Sequence, residues 1–466
     1  MSKISLNAVP TGNTPGLSHD ALALYLRLGF LPSPLSVLRH EAIVNEFDTA
    51  LTEDFDPNRG TFLRDLRQYT GTRNRSKSDG FDEQSAIDGI RQTLLAATAR
   101  VTEGYDHVYL MVSGGKDSLS VAWALKELGR KATLIHCTNR GREDESSDVA
   151  RVCELLGYDC IYLTDDIIQV DTFLTSRAAK LPIPIADQAF FSYLRAVSEI
   201  SGKLDEFGGR AILLDGMGND AYMGHIPPKR EKRLLSLPRL PFLSEAIITA
   251  LYSNSTAHYA LETLFKRRGE RHFSGAGFAV DDGPVAPDAE RIFSAYNNQP
   301  EERRALLRGG IYDIDCCIRK GVLAAALDNR LDIGFPFLDP AFITLYSEFP
   351  EGVMFDYKNS FNKRLLRKLL EQVGILSEFV SSHKGSFRFN LNRLPEVYEP
   401  SASLIETLDY MSVRAPAVSS IRRYANTSFV AAQKLGQLYV LDKFLGVHDV
   451  APKPVKSTGI NIRYHA

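Results

Sequence analysis

The chain has 466 residues, 44% of them hydrophobic and 24% charged, with 55 Lys and Arg against 57 Asp and Glu for a formal net charge of −2. At roughly 100–200 residues per domain, this length provides for two to four domains with ample core. The near-neutral balance excludes a broadly basic nucleic-acid coat and a strongly acidic tail, and the composition excludes collagen-like, low-complexity and disordered classes.

In chain order, Met1–Gly16 is polar and holds no apolar core of a signal peptide. No window reaches the ~18 consecutive apolar residues that cross a bilayer. A helix is expected over Asp20–Leu28, a polar linker over Thr70–Gly80, and a long helix over Phe81–Glu103 from the spacing of Ile87, Ile90, Leu94, Leu95 and Val101. Strands are expected at His107–Val112, Ala132–Cys137, Asp159–Leu163 and Ala211–Leu214, and between them helices after Lys116, over Glu145–Leu156 and over Ala189–Ile200. This alternation predicts an α/β fold with a doubly wound parallel sheet, whose ligand groups lie at the carboxyl ends of the strands. Beyond Ile226 the pattern turns helical, with helices expected over Leu323–Leu331 and Lys363–Gln372 and an irregular tail after Gly446. The divisions expected are an N-terminal region 1–80, an α/β core 81–226, a helical part 227–446 and a tail 447–466. Cys137, Cys153, Cys160 and the adjacent Cys316 and Cys317 have neither a disulfide framework nor the paired spacing of a zinc site. They are expected to be reduced, buried thiols of a cytoplasmic protein.

Ser113-Gly114-Gly115-Lys116-Asp117-Ser118 stands between a predicted strand and a predicted helix. Two glycines let the backbone turn its N–H groups toward an anion, and the helix start adds its positive dipole end. The Ser113 and Ser118 hydroxyls can donate to phosphate oxygens, Lys116 can neutralise charge, and Asp117 can hold Mg²⁺. The spacing is not the Walker pattern, which places four residues between Gly and Gly-Lys. Instead the segment resembles the SGGxDS loop of the PP-loop ATP pyrophosphatases. That resemblance implies ATP bound here, cleaved between its α and β phosphates, with adenine contacts near Ile135 and His136.

Later segments resemble one branch, the asparagine synthetase family. Asp215-Gly216-Met217-Gly218-Asn219-Asp220 is similar to its Ser-Gly-Glu-Gly-x-Asp-Glu signature. Asp215, Gly216 and Gly218 are then expected beside the α-phosphate and Asp220 as a second Mg²⁺ carboxylate. Phe335–Asp339 is similar to its PFLD segment, Lys363–Arg367 to its K-x-x-LR helix, His383–Phe387 to its basic loop, and Asp144-Glu145-Ser146 to a DES stretch. The similarity spans about Phe81–Arg393. Ala21–Leu35 resembles the segment that links glutaminase and synthetase halves, but no cysteine precedes Cys137, so glutamine hydrolysis is not expected.

The resemblance implies an ATP-dependent carbon–nitrogen ligase that adenylates a small-molecule or peptide carboxylate and transfers it to ammonia or an amine, with a separate glutaminase or biosynthetic protein as a partner. Lys384 is the candidate for stabilising charge in the second step, and Asp332 for the base. Two departures mark a rebuilt acceptor pocket: Met217 stands where asparagine synthetases have Glu and β-lactam synthetases Tyr, and Gly334 where Arg is expected. β-Lactam synthetases and lasso-peptide cyclases exemplify this branch without glutaminase activity. The basic runs Lys229–Arg233 and Lys266–Arg268 read as solvated faces, and neither a membrane nor a nucleic-acid partner is expected. The competing readings are an RNA- or base-modifying PP-loop enzyme and a nucleotide-binding protein that has lost catalysis.

Overall fold

The computed structural model describes residues 6–10, 16–44, 48–50, 61–65, 80–138, 145–227, 229–237, 278, 297–298, 301–375, 389–413, 415–448, 454 and 461–465. Lys384 with its 383–387 segment, Asp144, the run 266–268 and all but the last residue of the 70–80 linker lie outside them.

Four short strands come first: β1 (Asn7–Pro10), β2 (Glu41–Val44), β3 (Asp48–Ala50) and β4 (Thr61–Asp65). Helix α1 (His19–Leu28) lies between β1 and β2 and is closed by Gly29 at φ 82°. The central sheet follows, with β5 (His107–Met111), β6 (Thr133–Cys137), β7 (Asp159–Leu163), β8 (Ala211–Leu214) and β9 (Leu331–Gly334). Its order is β7-β6-β5-β8-β9, and every pair is parallel. Leu110, Met111, Leu134, Ile135 and Ile212–Leu214 are fully buried, because helices cover both faces of such a sheet and leave no strand a wet side. The chain runs outward from β5 through β6 to β7 and returns to the other side of β5 as β8. The carboxyl ends of β5 and β8 therefore flank the point where the winding reverses, the ligand crevice of doubly wound sheets.

The helices owe their ends to particular residues. Asp82 caps α2 (Glu83–Val101), its carboxylate accepting from the Gln84 and Ser85 amides at 3.0 and 3.2 Å. The buried stripe Ile87, Ile90, Leu94, Ala97 and Val101 packs that helix on the core. Helix α3 (Lys116–Glu127) rises from the phosphate-type loop, and α4 (Ser146–Leu156) ends at Gly157 with φ 73°. Helices α5 (Ile167–Thr175) and α6 (Gln188–Phe207) precede β8, and the five-residue α7 (Asn219–Met223) follows it.

Two expectations are corrected here, and the N-terminal region adds strands that the sequence did not mark. The helix expected over Leu323–Leu331 stops at Ala325, and Leu331–Gly334 is the fifth strand. Asp328 turns the chain between them by accepting from the Arg330 amide at 3.0 Å and its guanidinium at 2.8 Å. The tail is not wholly irregular, since Asn461–His465 forms β10 alongside β4. The N-terminal region holds two small sheet pairings besides its helix, β1 with β2 and β3 with β4.

Gly334 has a packing reason to be glycine. A Cβ there would stand 2.5 Å from Val101 Cγ2 and 3.0 Å from both Ile212 Cδ1 and Leu214 Cδ2, where α2 lies on the sheet. Gly334→Ala should therefore lower stability by about 1–3 kcal/mol through overpacking, measured by denaturant unfolding. A neutral or stabilising result would refute this close approach.

Candidate active site

The loop after β5 is held in shape by its own serines. The Ser118 hydroxyl lies 3.1 Å from Ser113 O and 3.0 Å from Gly115 O, and accepts from the Ser113 amide at 3.2 Å. The Ser113 hydroxyl accepts from the Gly115 amide at 3.2 Å. The Gly114 amide instead donates to a carboxylate, Glu145 Oε2, at 3.1 Å. An anion thus rests against the loop at the start of α3, where amides and helix dipole favour one. Ser113, Lys116, Asp117 and Ser118 are all buried.

The loop after β8 presses against this first loop. A Cβ on Gly216 would stand 2.7 Å from Asp117 O, so only glycine lets the two backbones approach this closely. Gly218 turns the chain into α7 at φ 107°. Two acidic side chains then face one ammonium: Lys363 Nζ lies 2.5 Å from Asp117 Oδ2 and 2.9 Å from Asp220 Oδ1. Burial alone would pull the Lys363 ammonium below its ordinary pKa, but Asp117 and then Asp220 outweigh it and hold the group well above that value. Asn219 Nδ2 donates to the other Asp117 oxygen at 3.1 Å, and Tyr346 OH donates to Asn219 Oδ1 at 3.2 Å. Burial, reinforced by the Asp117 charge, raises the Tyr346 phenol well above its ordinary value, so it stays a donor.

Asp215 organises the second loop from within. Its Oδ1 accepts from the Met217 amide at 2.7 Å and its Oδ2 from the Tyr193 hydroxyl. That hydroxyl also lies 3.7 Å from Met217 Sδ. Burial first and Asp215 second hold the Tyr193 phenol far above its usual range. The phenol of α6 therefore reaches the position where related signatures carry an ionisable third residue and this chain carries Met217.

Of the sequence-predicted residues, Ser113, Gly114, Gly115, Lys116, Asp117, Ser118, Asp215, Gly216, Gly218 and Asp220 come together at the ends of β5 and β8. Ile135 and His136 lie at the end of the neighbouring β6, and His136 Nδ1 sits 3.0 Å from Val112 O. Because a carbonyl only accepts, Nδ1 carries the proton in the neutral ring. Nε2 is then a buried lone pair, with no hydrogen-bond partner.

Asp332 does not join them. It is the second residue of β9, its carboxylate takes the Tyr105 hydroxyl and the Arg210 guanidinium (2.9 Å), and its side chain is 38% exposed. Tyr105 and Arg210 lead into β5 and β8, so this cluster stands at the amino-terminal edge of the sheet, opposite the loops. Asp332, expected as the base, therefore stands at the wrong edge of the sheet to act on a group held by the loops. Sequence reading missed Lys363, Asn219, Tyr346, Tyr193 and Glu145 as site residues. Lys363 and Glu145 stood in segments already marked by resemblance, whereas Asn219, Tyr346 and Tyr193 carry no local signal.

Over residues 89–408 the sequence matches the family described as asparagine synthase, a span of 320 residues in a chain of 466 (408 − 89 + 1). The chain belongs to the asparagine synthase family. Membership makes it one of a family of ATP-using amidation ligases. No curated protein matches the chain. It is similar to the NH3-dependent NAD synthetase of Campylobacter jejuni, at 14% identity and TM-score 0.22 over 49% of this chain and 93% of that one. It is also similar to the NMN synthetase of Francisella tularensis, at 11% identity and TM-score 0.24 over 52% and 96%. The glutamine-dependent NAD+ synthetase of Acinetobacter baumannii, solved with ADP, shares 17% identity at TM-score 0.21 over 65% and 47%. Superpositions this loose say nothing further about this asparagine synthase family member. No helix among its described residues is long and apolar enough to cross a membrane.

Proposed function

We propose that this chain adenylates a carboxylate with ATP and passes the acyl group to ammonia or an amine, releasing pyrophosphate and AMP. One observation carries the reading: each part of the crevice already holds an internal group of the charge that Mg·ATP would bring. The Glu145 carboxylate lies on the Gly114 amide, and the Lys363 ammonium lies between Asp117 and Asp220.

Asp117 and Asp220 are the residues that would hold Mg²⁺; their convergence on one cation satisfies the oxygen-ligand chemistry of that ion. When bound, the ion spreads negative charge as it builds on the phosphates. On binding, polyphosphate oxygens would replace Glu145 at the Gly114 amide, and Lys363 would be free to pair with phosphate. His136 Nε2 would accept from the adenine 6-amino group. A carboxylate oxygen then attacks the α-phosphorus, the bond to the β-phosphate oxygen breaks, and pyrophosphate departs with the electron pair. Next the amine nitrogen attacks the acyl carbon, the bond to AMP breaks, and the nitrogen sheds its proton. Lys384 is proposed to steady the charge of this second step. Met217 beside the Tyr193 phenol makes an acceptor site different from that for aspartate, so we do not assign aspartate as the substrate.

Pyrophosphate release assayed with ATP across carboxylate and amine libraries tests the reaction. Amine-dependent release with AMP formation is the expected result. Release only with RNA, or none with any pair, would favour the RNA-modifying or non-catalytic readings instead. His136→Ala should raise the KM for ATP about tenfold with little change in kcat, since it removes a ground-state contact. An unchanged KM would remove His136 from the adenine site.

A further inference from the structure

Beside the proposed nucleotide crevice stands a second group of metal-ligating side chains. We propose that Asp220, His225 and Asp313 form a site for a divalent transition-metal ion. The three come from different parts of the fold, Asp220 from α7, His225 from the turn behind it, and Asp313 from the π-helical stretch Gly309–Ile318. One ligand atom from each lies within 4.8 Å of the others. A Cβ on Gly309 would stand 2.9 Å from Ala221 Cα, so the absence of that side chain lets the π-helical stretch lie against α7 and brings Asp313 to the turn. π-Helical turns recur at functional sites because they re-aim side chains within a helix.

The observation that points to a ligand is at Asp313. Its side chain is 2% exposed; Oδ1 sits 3.1 Å from His225 Nδ1, while Oδ2 is buried with no hydrogen-bond partner. A buried carboxylate oxygen without a donor is costly, and one imidazole N–H serves only a single oxygen. An ion between the three residues would satisfy the bare oxygen and replace the Nδ1–H contact to Oδ1, the imidazole carrying its proton on Nε2 and offering the Nδ1 lone pair. The ring already turns Nδ1 toward Asp313. The His225 amide is bonded to Ala305 O at 3.1 Å, and Tyr312 packs edge-on at 5.7 Å and 89°.

The donor set selects the ion. Imidazole beside carboxylates suits Zn²⁺, Co²⁺ or Mn²⁺, whereas Mg²⁺ takes oxygen and keeps its waters. Asp220 belongs to both positions, at one edge facing Lys363 and Asp117 and at the other facing His225 and Asp313. The proposal does not depend on the reaction the crevice performs.

The test uses the full chain stripped of metal and titrated with Co²⁺ and Zn²⁺ in the absence of nucleotide. One ion per chain by elemental analysis is expected, with a Co²⁺ visible spectrum showing nitrogen ligation. His225→Ala and Asp313→Asn should each weaken binding tenfold or more, and His225→Ala should also remove the nitrogen signature. His225 is a partly exposed turn residue, so the folded state of that variant can be confirmed by circular dichroism even if Asp313→Asn is unstable. Asp117→Asn should retain the ion. The proposal is overturned if the native chain holds no ion, if His225→Ala binds as well as native, or if Asp117→Asn alone abolishes binding.

Discussion

Asp117→Asn is expected to lower pyrophosphate release by about 10²–10³-fold or more, the usual cost of removing one charge-stabilising group from a catalytic site, while leaving the fold intact. Asp117 stands at the first turn of α3, on the loop that faces the phosphates in the proposed reaction, and shares Lys363 with Asp220. An amide at this position keeps one accepting oxygen for either Asn219 or Lys363 and turns its NH2 toward the other donor. What it loses is the full negative charge that would bind a divalent ion. Dependence on Mg²⁺ should shift in step, with saturation moved to higher concentration. Release at the native rate and native Mg²⁺ dependence would remove Asp117 from the reaction.

Lys363→Met should have its largest effect on the unliganded protein. The substitution keeps an unbranched stem but leaves Asp117 and Asp220 facing each other without their shared ammonium. Breaking a buried ion pair by removing one partner typically costs about 3–5 kcal/mol. Because the folded-state pKa of Lys363 is raised, its stabilisation is fully present below about pH 10, the unfolded lysine range. It is lost only as the pH climbs through the folded value, so a comparison at neutral pH captures the whole effect. Millimolar Mg²⁺ should restore part of the loss, since the variant offers an unoccupied pair of carboxylates to the ion. Thermal unfolding with and without Mg²⁺ measures both quantities. Equal melting temperatures for variant and native chain, or no extra stabilisation of the variant by Mg²⁺, would show that the two carboxylates do not form one cation site.

The contrast between Asp332 and Lys363 shows where sequence patterns lose their power. Asp332 falls beside a recognised segment, but its position on β9 turns on where a strand begins. A shift of the strand boundary moves a residue from the ligand edge of a sheet to its opposite edge. Lys363 likewise lies in a marked helix-start segment, yet nothing local shows that it crosses more than 240 positions of chain to meet Asp117. The fifth strand was missed for a related reason: Leu331–Gly334 is four residues long, too short for its alternation to stand out from the apolar helix before it. The helix Phe429–His448 was also not anticipated, since Val430–Leu441 and Phe444 are buried almost all round and a helix without a polar face has no 3.6-residue contrast to detect.

Local sequence determined four strands of the parallel α/β core through apolar spacing, and marked the loops after β5 and β8 through their glycines and polar residues and their resemblance to family signatures. These depend on neighbours within a few positions, where backbone sterics and periodicity act directly. Only the folded chain decided which charges share a cavity. Ion pairing and close packing act through space, so the meeting of Lys363 with Asp117 and Asp220, the reach of Tyr193 to Asp215, and the exile of Asp332 follow from the crossovers that bring distant segments together.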